Sequence, residues 1–173
     1  VERFRSQGYS VRVFNRSPLV LPADSEVMVC ASVDELIATS SNVILMLSNA
    51  DAINQLLQLD QAGEPQLKLQ GKTFLQMATI SPGQSRAIAE AITARGGRYL
   101  EAPVLGSLPE ARTGTLIIMA AGPEKLFQDV LPTLQALGTE PRYIGDTGAA
   151  AALKLAMNQL IASLTAGFSL SLG

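Results

Sequence analysis

A lysine and an asparagine one helical turn apart are the residues of this sequence best suited to chemistry. Lys154 and Asn158 lie in the stretch GDTGAAAALKLAMNQL, and four residues along a helix place both side chains on one face. No other charged residue occurs between positions 149 and 171, so the pattern predicts a helix that is buried nearly all round. An unpaired ammonium is costly there and suits proton transfer, although a lone lysine on a helix is more often a solvated surface residue.

A second candidate group follows the first predicted strand, where Asn15, Arg16 and Ser17 stand in VFNRSP. In dinucleotide-binding sheets an acid at this position holds the ribose 2′-hydroxyl of NAD, whereas a nearby arginine accommodates the 2′-phosphate of NADP. No acid occurs here before Asp24, and a guanidinium beside a hydroxyl suits a phosphomonoester. The motif predicts NADP(H) as the preferred cofactor and NAD(H) as the second choice; a polar turn that happens to contain arginine is the alternative.

Small and hydroxyl-bearing residues follow three further predicted strands, in MLSNADA, MATISP and EAPVLGS. The first two leave room at a strand end for a ribose and a nicotinamide. The third offers backbone N–H groups and a hydroxyl at Gly106 and Ser107, which can hold a carboxylate. Each signal is weak alone, because ordinary strand-to-helix turns, such as one with Ser81 as an N-cap, and a plain Gly-Ser loop have the same composition.

Composition excludes several classes of function. The chain has 173 residues, 47% of them hydrophobic and 16% charged, which suits one domain with a real core. A net charge of −2 does not indicate binding to nucleic acid. The sequence contains no run of 18 apolar residues, so no membrane span is predicted. The absence of histidine excludes Ser-His triads and histidine metal sites, so no metal is predicted. The single cysteine, Cys30, is typical of a cytoplasmic protein.

The elements that position these residues alternate between strands and helices. Apolar or β-branched runs predict strands in SVRVF, EVMVC, NVILML, KTFLQM, RYLEAPV, LIIMA and RYIG. Ser32 with Glu35 predicts a capping box, and Ser81 with Pro82 predicts a second helix start. The alternation predicts an α/β fold, a doubly wound and mostly parallel sheet with ligands at the carboxyl ends of its strands, followed by one long helix.

The order of these motifs resembles that of the β-hydroxyacid dehydrogenases, a family that includes 3-hydroxyisobutyrate dehydrogenase. VFNRSP, VILML, MATISP, EAPVLGS, GTLIIMAAG and GDTGAAAALKLAMNQ are similar to its successive motifs and span essentially the whole chain. EAPV followed by GS, together with LIIMAAG, is most similar to the glyoxylate/succinic semialdehyde reductase branch. The resemblance implies a Rossmann-like fold, a homo-oligomeric protein, and hydride transfer between NADP(H) and a small aldehyde or keto acid, or the corresponding hydroxy acid.

The resemblance also implies roles for individual residues. Lys154 matches the catalytic lysine, which acts on the substrate oxygen as general acid in reduction and general base in oxidation. Asn158 matches an asparagine that helps to hold the substrate. The other matches are Leu47 and Ser48 in the cofactor-lining loop, Thr79 beside the nicotinamide ribose, and Gly106 and Ser107 in the loop that receives the substrate carboxylate.

Several departures from the family pattern concern the substrate. Leu105 and Ala78 each stand where the family usually has serine, and Gly148-Ala149-Ala150 replaces a GxG sequence. Met157 occupies the position of a histidine in 6-phosphogluconate dehydrogenase, so that activity is not expected. Apolar Leu105 motivates an imine reductase-like enzyme as one alternative. A catalytically silent homologue, retained as an oligomerisation or chromatin-binding module, is the other, and the retained lysine argues against both.

Two parts of the family pattern are absent from the sequence. No first strand with a GxGxxG phosphate-binding loop precedes Val1, and no all-helical domain follows the last predicted helix. We therefore expect residues 1–146 to form a partial NADP-binding Rossmann domain that lacks its first strand. Residues 147–173 are expected to be the start of an interdomain helix. The span is expected to be an internal fragment of a longer protein and to be inactive alone.

Overall fold

A computed structural model of the chain describes residues 1–21, 25–60 and 67–172, in which strands and helices alternate as the sequence predicts. The strands are β1 (Arg12–Val13), β2 (Met28–Val29), β3 (Asn42–Leu45), β4 (Thr73–Gln76), β5 (Arg98–Glu101), β6 (Val104–Leu105), β7 (Ile117–Ala121) and β8 (Arg142–Gly145). The helices are α1 (Glu2–Ser6), α2 (Val33–Thr39), α3 (Ala50–Leu57), α4 (Pro82–Ala94), α5 (Leu108–Thr113), α6 (Glu124–Gln135) and α7 (Ala149–Ser171).

The larger sheet is mixed, whereas the sequence predicts a mostly parallel one. β3, β4 and β5 pair in parallel in that order, β7 pairs antiparallel with both β5 and β6, and β8 lies parallel to β7. β5 and β6 are two parts of the single strand predicted in RYLEAPV, interrupted at Ala102 and Pro103. The direction reverses at β7 because the six-residue helix α5 makes too short a connection for a parallel crossover.

A row of paired residues crosses this sheet and marks the level at which the site is built. Leu45 pairs with Gln76, Gln76 with Glu101, Glu101 with Ala121, and Ala121 with Gly145. Because β3, β4 and β5 run parallel and all end at this row, the loops that follow them leave the sheet side by side.

β1 and β2 form a separate parallel pair. Arg12 lies opposite Met28 and Val13 opposite Val29, and no strand of the described residues joins this pair to the larger sheet. The outer edge of β3 is likewise not paired by any described strand. Edges of this kind expose backbone N–H and C=O groups. The existence of a further strand before residue 1 stays a prediction.

Two buried apolar clusters pack helices on the two faces of the sheet. One cluster contains Phe74 and Tyr99 together with residues of α3 and α4, and the other contains Leu75 and Leu100 together with residues of α6. Successive residues of a strand point to opposite faces, and these four side chains are all buried. β4 and β5 are therefore covered on both faces, as their apolar sequences indicate.

Side chains cap the predicted helix starts with one small difference from the prediction. Ser32 caps α2 by accepting the N–H of Glu35 at 3.1 Å, and Ser81 forms a complete capping box with Gln84 on α4. The carboxylate of Glu35 accepts the N–H of Ala31 at 2.8 Å rather than that of Ser32. The box predicted for α2 is therefore shifted by one residue, which still satisfies a backbone donor at the helix start.

α7 departs from the prediction of a helix that is buried nearly all round. Its buried residues are Ala150 and Ala151, whereas Leu160, Leu164 and Phe168 are more than half exposed. The start of the helix packs against β7, β8 and α4. The remainder extends past these elements, and its apolar side chains are open to solvent in the described structure.

α7 is also long and apolar enough to cross a membrane by length and composition alone. Its 23 residues contain an 18-residue window with a mean hydropathy of 1.2, of which 11% is buried. Core helices of soluble proteins satisfy the same criterion, so it does not distinguish the two cases. The absence of a membrane span therefore stays a prediction, based on the lack of an uninterrupted apolar run.

Candidate functional site

Residues from two neighbouring loops come together at the carboxyl edge of the sheet. Leu47 and Ser48 follow β3, and Thr79 follows β4, which is the strand paired with β3. Ser48 and Thr79 are exposed and Leu47 is half-buried, so all three border open space. Ala78, where the family usually has serine, is buried beneath this surface and offers no hydroxyl to a ligand.

Gln76, which sequence analysis missed, fixes the loop that carries Thr79. It is 1% exposed at the end of β4, and its amide donates to the carbonyl oxygen of Ala78 at 3.0 Å. Its own carbonyl oxygen accepts the N–H of Ala78. The two bonds hold the backbone directly before Thr79, so the shape of the loop does not depend on the Thr79 side chain.

The residues predicted to bind a ribose phosphate lie on the smaller sheet. Asn15, Arg16 and Ser17 follow β1, and all three are exposed. The Asn15 side chain donates to the carbonyl oxygen of Ser17 at 3.2 Å, which closes the turn around Arg16. In the described residues no strand pairing brings this turn into the row that carries the loops after β3 and β4.

Gly106 and Ser107 lie between β6 and α5, in a turn that already binds a carboxylate of this chain. The N–H of Ser107 donates to Oε2 of Glu110 at 2.7 Å, and this bond holds the pKa of Glu110 below its usual range. Gly106 has a φ of 123°, which residues with a side chain rarely adopt. The other donors of the turn are the Gly106 N–H and the Ser107 hydroxyl.

Lys154 lies on α7 with its side chain half-buried, and desolvation lowers its pKa. Among the described residues no carboxylate forms an ion pair with it. Asn158 follows one turn later on the same helix face and is exposed. A lysine with a lowered pKa gives up its proton more readily than a fully solvated one, which suits a general acid.

Glu101, the last residue of β5, is the principal site residue that sequence analysis missed. It is 0% exposed, and its Oε1 accepts the N–H groups of Gly148, Ala150 and Ala151 at 2.8, 2.9 and 3.2 Å. Its other oxygen accepts the hydroxyl of Ser85 on α4. Gly148 is the N-cap of α7 and has no side chain, so Glu101 supplies the acceptor that a capping serine or aspartate would normally provide.

A signal for Glu101 does exist in the sequence. RYLEAPV places an acid in an otherwise apolar strand, where a buried charge requires several hydrogen-bond donors. The helix of GAAAALK begins at a glycine, and its first turn holds alanines alone. The helix start lacks a capping side chain, and the buried acid lacks local hydrogen-bond donors. Together these features indicate that the acid caps the helix in the folded protein.

Two departures from the family pattern pack into one small apolar cluster. Met119, Ala121 and Ala150 are buried in this cluster, and Leu105 and Leu153 pack against it. The methyl group of Ala150 is therefore accommodated between α7 and the sheet. Leu105 stands where a serine would offer a hydroxyl, and its side chain instead supports the start of α7 through apolar contact.

One cavity of the described structure lies apart from the residues predicted from sequence. This cavity has a volume of about 360 Å³ and lies between α4 and the turns after β7 and β8. Its lining includes Arg86, Glu90 and Asp146 and none of the residues predicted from sequence. In the described part of the chain, no group of three His, Cys, Asp or Glu side chains is placed to hold a metal ion.

Known proteins resemble this chain in sequence over nearly its whole length. Residues 1–145 match the family described as the NAD binding domain of 6-phosphogluconate dehydrogenase. Glyoxylate/succinic semialdehyde reductase 1 of Arabidopsis thaliana is 36% identical over 164 residues, which are 94% of this chain and 56% of that protein. The cytokine-like nuclear factor N-PAC of Aedes aegypti is 32% identical over 176 residues, covering 98% of this chain and 30% of that protein.

Solved structures share the fold. The 3-hydroxyisobutyrate dehydrogenase of Mycobacterium tuberculosis with L-serine superposes with a TM-score of 0.78 at 25% identity, over 93% of this chain and 55% of that one. The reductive aminase of Aspergillus terreus with NADPH and ethyl levulinate gives a TM-score of 0.81 at 28% identity, over 96% of this chain and 57% of that one. The chain thus spans about half the length of the plant reductase and of both solved structures.

Proposed function

The chain belongs to the family of the NAD binding domain of 6-phosphogluconate dehydrogenase, among its 3-hydroxyisobutyrate dehydrogenase-like members, and on this premise we propose that it is part of an NADP(H)-dependent reductase of small aldehydes or keto acids. The observation that carries the proposal is Lys154, a half-buried lysine of lowered pKa on a helix that starts at the carboxyl edge of the sheet. The 36% identity to a plant glyoxylate/succinic semialdehyde reductase supports the substrate class.

In this proposal the dinucleotide binds exposed residues at the edge of the larger sheet and in the turn after β1 on the smaller one. Ser48 and Thr79 provide hydroxyls on adjacent loops for a ribose, and half-buried Leu47 provides apolar surface beside them. Arg16 and Ser17, in the turn closed by Asn15, provide a cation and a hydroxyl for a 2′-phosphate, which favours NADP(H) over NAD(H). When bound, the cofactor supplies or accepts the hydride.

The residues proposed to act on the substrate lie on α7 and in the turn after β6. Lys154, as the ammonium, donates a proton to the carbonyl oxygen during reduction, and as the neutral amine it accepts that proton during oxidation. Asn158, on the same helix face, binds the substrate through its amide. The Glu110 carboxylate already accepts the Ser107 N–H, so the donors proposed for a substrate carboxylate are the Ser107 hydroxyl and the Gly106 N–H.

Steady-state kinetics of the full-length protein that contains this chain tests the role of Lys154. Lys154→Ala should lower kcat/KM for NADPH-dependent reduction of glyoxylate and succinic semialdehyde by about 10²–10⁴-fold, the usual contribution of a general acid. NADPH affinity should not change. Lys125→Ala, at an exposed lysine on α6, is the matched control and should retain the wild-type rate. Equal rates in Lys154→Ala and the wild type would remove Lys154 from the mechanism.

Reduction of imines is a second candidate, and Leu105 favours it. Its apolar side chain replaces a hydroxyl that would contact a carboxylate, and a cyclic imine needs no such contact. One matching solved structure, from Aspergillus terreus, is a reductive aminase. A cyclic imine that is turned over faster than every tested aldehyde would establish this candidate. NADPH binding without turnover of either class would indicate a non-catalytic homologue.

Fewer residues bear on the cellular compartment and the oligomeric state of the protein. Cys30 is a free, buried thiol, and proteins with a single unpaired cysteine are typical of a reducing compartment such as the cytoplasm. We propose a homo-oligomer in that compartment, acting on small molecules. Size-exclusion chromatography with light scattering on the full-length protein tests the oligomer.

A further inference from the structure

We propose that Glu101 is a positioning residue that sets the placement of Lys154 by anchoring the first turn of α7. The proposal rests on the proposed function, in which Lys154 is the proton donor. Glu101 touches neither Lys154 nor the loops assigned to the cofactor by any hydrogen bond of the described structure. Its action is therefore exerted through the helix.

The hydrogen bonds of Glu101 fix both the rotation and the axial position of α7. Three N–H groups, from Gly148, Ala150 and Ala151, converge on the single atom Oε1. A turn of the helix by one residue, about 100°, would carry these donors away from the carboxylate. Lys154 follows Ala150 by four residues, so it lies on the anchored face and about 6 Å further along the axis.

The anchor is itself held from two sides. The backbone of Glu101 pairs with β4 through Gln76 and with β7 through Ala121. Its second oxygen accepts the hydroxyl of Ser85, which also shares a 2.8 Å hydrogen bond with the hydroxyl of Tyr99. Glu101, Ser85 and Tyr99 are all buried, so water does not compete for these bonds.

The same row of the sheet also fixes the loop proposed to contact the nicotinamide ribose. Gln76 is the direct neighbour of Glu101 across β4 and β5, and it clamps the backbone before Thr79. One rigid row thus holds the loop of Thr79 and the helix of Lys154. Alignment of a proton donor with a bound substrate depends on such fixed relative placement.

The sequence of α7 makes this external anchor necessary. The helix starts with glycine and four alanines, and none of these residues has a side chain that can accept a backbone N–H. Ala150 and Ala151 are buried, so water cannot satisfy their N–H groups. The carboxylate is stabilised in turn by these donors and by the positive end of the helix dipole. Glu101 and the first turn of α7 therefore require each other.

Kinetics of Glu101 variants in the full-length protein separate positioning from a purely structural role. Glu101→Ala removes the anchor, and kcat for carbonyl reduction should fall by about 10- to 100-fold, as misplacement of a catalytic group does. Glu101→Gln keeps the length and one acceptor oxygen, so its kcat should lie between those of Glu101→Ala and the wild type. NADPH affinity, measured by fluorescence titration, should stay at the wild-type value in both variants.

Tyr99→Phe is the matched control for loss of a buried polar group. It removes a hydroxyl from the same hydrogen-bond network but leaves every contact between Glu101 and α7 in place. Its thermal stability should fall, while kcat should fall less than in Glu101→Gln because the bonds between Glu101 and α7 remain. This variant shows whether lower stability alone reduces the rate.

The outcomes distinguish this proposal from the proposed function. If Lys154→Ala is inactive but both Glu101 variants keep the wild-type kcat, the positioning role is refuted and the function stands. If kcat and NADPH affinity fall together in the Glu101 variants and in Tyr99→Phe, Glu101 is structural and the proposal also fails. If Glu101→Ala does not fold, Glu101→Gln decides by the same criteria. A wild-type protein without any carbonyl reduction would refute the function first.

Discussion

Lys154 owes its chemical character to partial burial rather than to a charged partner. Desolvation lowers its pKa, and no described carboxylate pairs with it to restore the ammonium. The pKa of a lysine in this state is sensitive to its surroundings, so the pH dependence of the reaction reports on the residue directly.

The direction of reaction should decide the sign of the pH dependence. Carbonyl reduction requires the ammonium form of Lys154, so kcat should be constant at low pH and fall as pH rises through the lowered pKa. Oxidation of the hydroxy acid requires the neutral amine, so its kcat should rise over the same pH range. Profiles of kcat against pH, measured in both directions, check this. If kcat rises with pH in both directions, or falls in both, Lys154 is not the group that donates the proton in reduction and accepts it in oxidation.

Arg16 should decide between the two nicotinamide cofactors. Arg16→Ala should weaken NADPH binding by about 1–3 kcal/mol, the scale of a charge-assisted hydrogen bond to the 2′-phosphate. NADH binding should barely change, because NADH lacks that phosphate. Titration of both cofactors measures the difference. The control is Arg98→Ala, at the opposite end of the parallel strands, where Arg98 pairs with Asp129 at 3.4 Å. Equal weakening of NADPH and NADH by Arg16→Ala would make Arg16 structural.

Single residues could be predicted from the sequence where their signal is local. Lys154 and Asn158 are four residues apart, so a helix alone is enough to place both side chains on one face. Glu101 was missed because its backbone N–H partners are 47 to 50 positions away and become neighbours only when β5 and α7 meet. Glu110 could have been predicted from the sequence, because its spacing from Ser107 is that of a capping box. The same motif would have predicted the start of α5.

At the scale of elements, the predictions succeed where hydrophobic pattern alone decides. The apolar runs NVILML and KTFLQM become β3 and β4. Helices bury both faces of β4, whereas β3 is buried at Val43 and Leu45 and only partly buried at Ile44. Strand direction is not encoded in such runs. The reversal at β7 follows from the short connection through α5. The predicted strand RYLEAPV is divided at Ala102 and Pro103, between the part that pairs with β4 and the part that pairs with β7. Long, regular elements were therefore predictable, whereas breaks and reversals were not.

Two glycines test how closely the elements pack. Gly83 lies in the first turn of α4, and a Cβ there would meet no atom within 4 Å. Gly83→Ala should therefore raise the free energy of unfolding by about 0.5–1 kcal/mol, because alanine loses less backbone entropy in a helix. Gly138 follows α6, and a Cβ there would overlap the carbonyl oxygen of Leu116. Gly138→Ala should therefore lower the free energy of unfolding by about 1–3 kcal/mol.

Urea-induced unfolding of the full-length protein measures both glycine variants against the wild type. Because the two substitutions are chemically the same, opposite signs can come only from their surroundings. A loss of stability in both variants would show that the start of α4 is more crowded than the structure indicates. No effect in either would show that the turn after α6 can move away from Leu116.

At the scale of the whole molecule, the well-packed centre of the larger sheet contrasts with exposed sheet edges and an exposed apolar helix, which are the open parts of the fold. The central strands are covered on both faces, and the row from Leu45 to Gly145 ties five strands together. β1 and β2 stand apart from this sheet, and the edge of β3 is not paired by a described strand. Beyond Asn158, α7 presents exposed apolar side chains at Leu160, Ile161, Leu164, Phe168 and Leu170, and Leu172 directly follows the helix.

These open parts predict the behaviour of residues 1–173 when they are expressed alone. Unpaired sheet edges and an exposed apolar helix promote association, and together they offset much of the roughly 5–15 kcal/mol that stabilises a typical domain. The span should be aggregated or molten and should bind NADPH poorly. A matched variant that ends at Asn158 removes the exposed apolar side chains of the later part of α7 but keeps the sheet edges. If it becomes soluble yet still unfolds without a cooperative transition, the sheet edges limit folding and α7 limits solubility. A cooperative thermal transition together with micromolar NADPH affinity in residues 1–173 would show that the open edges do not limit this fold.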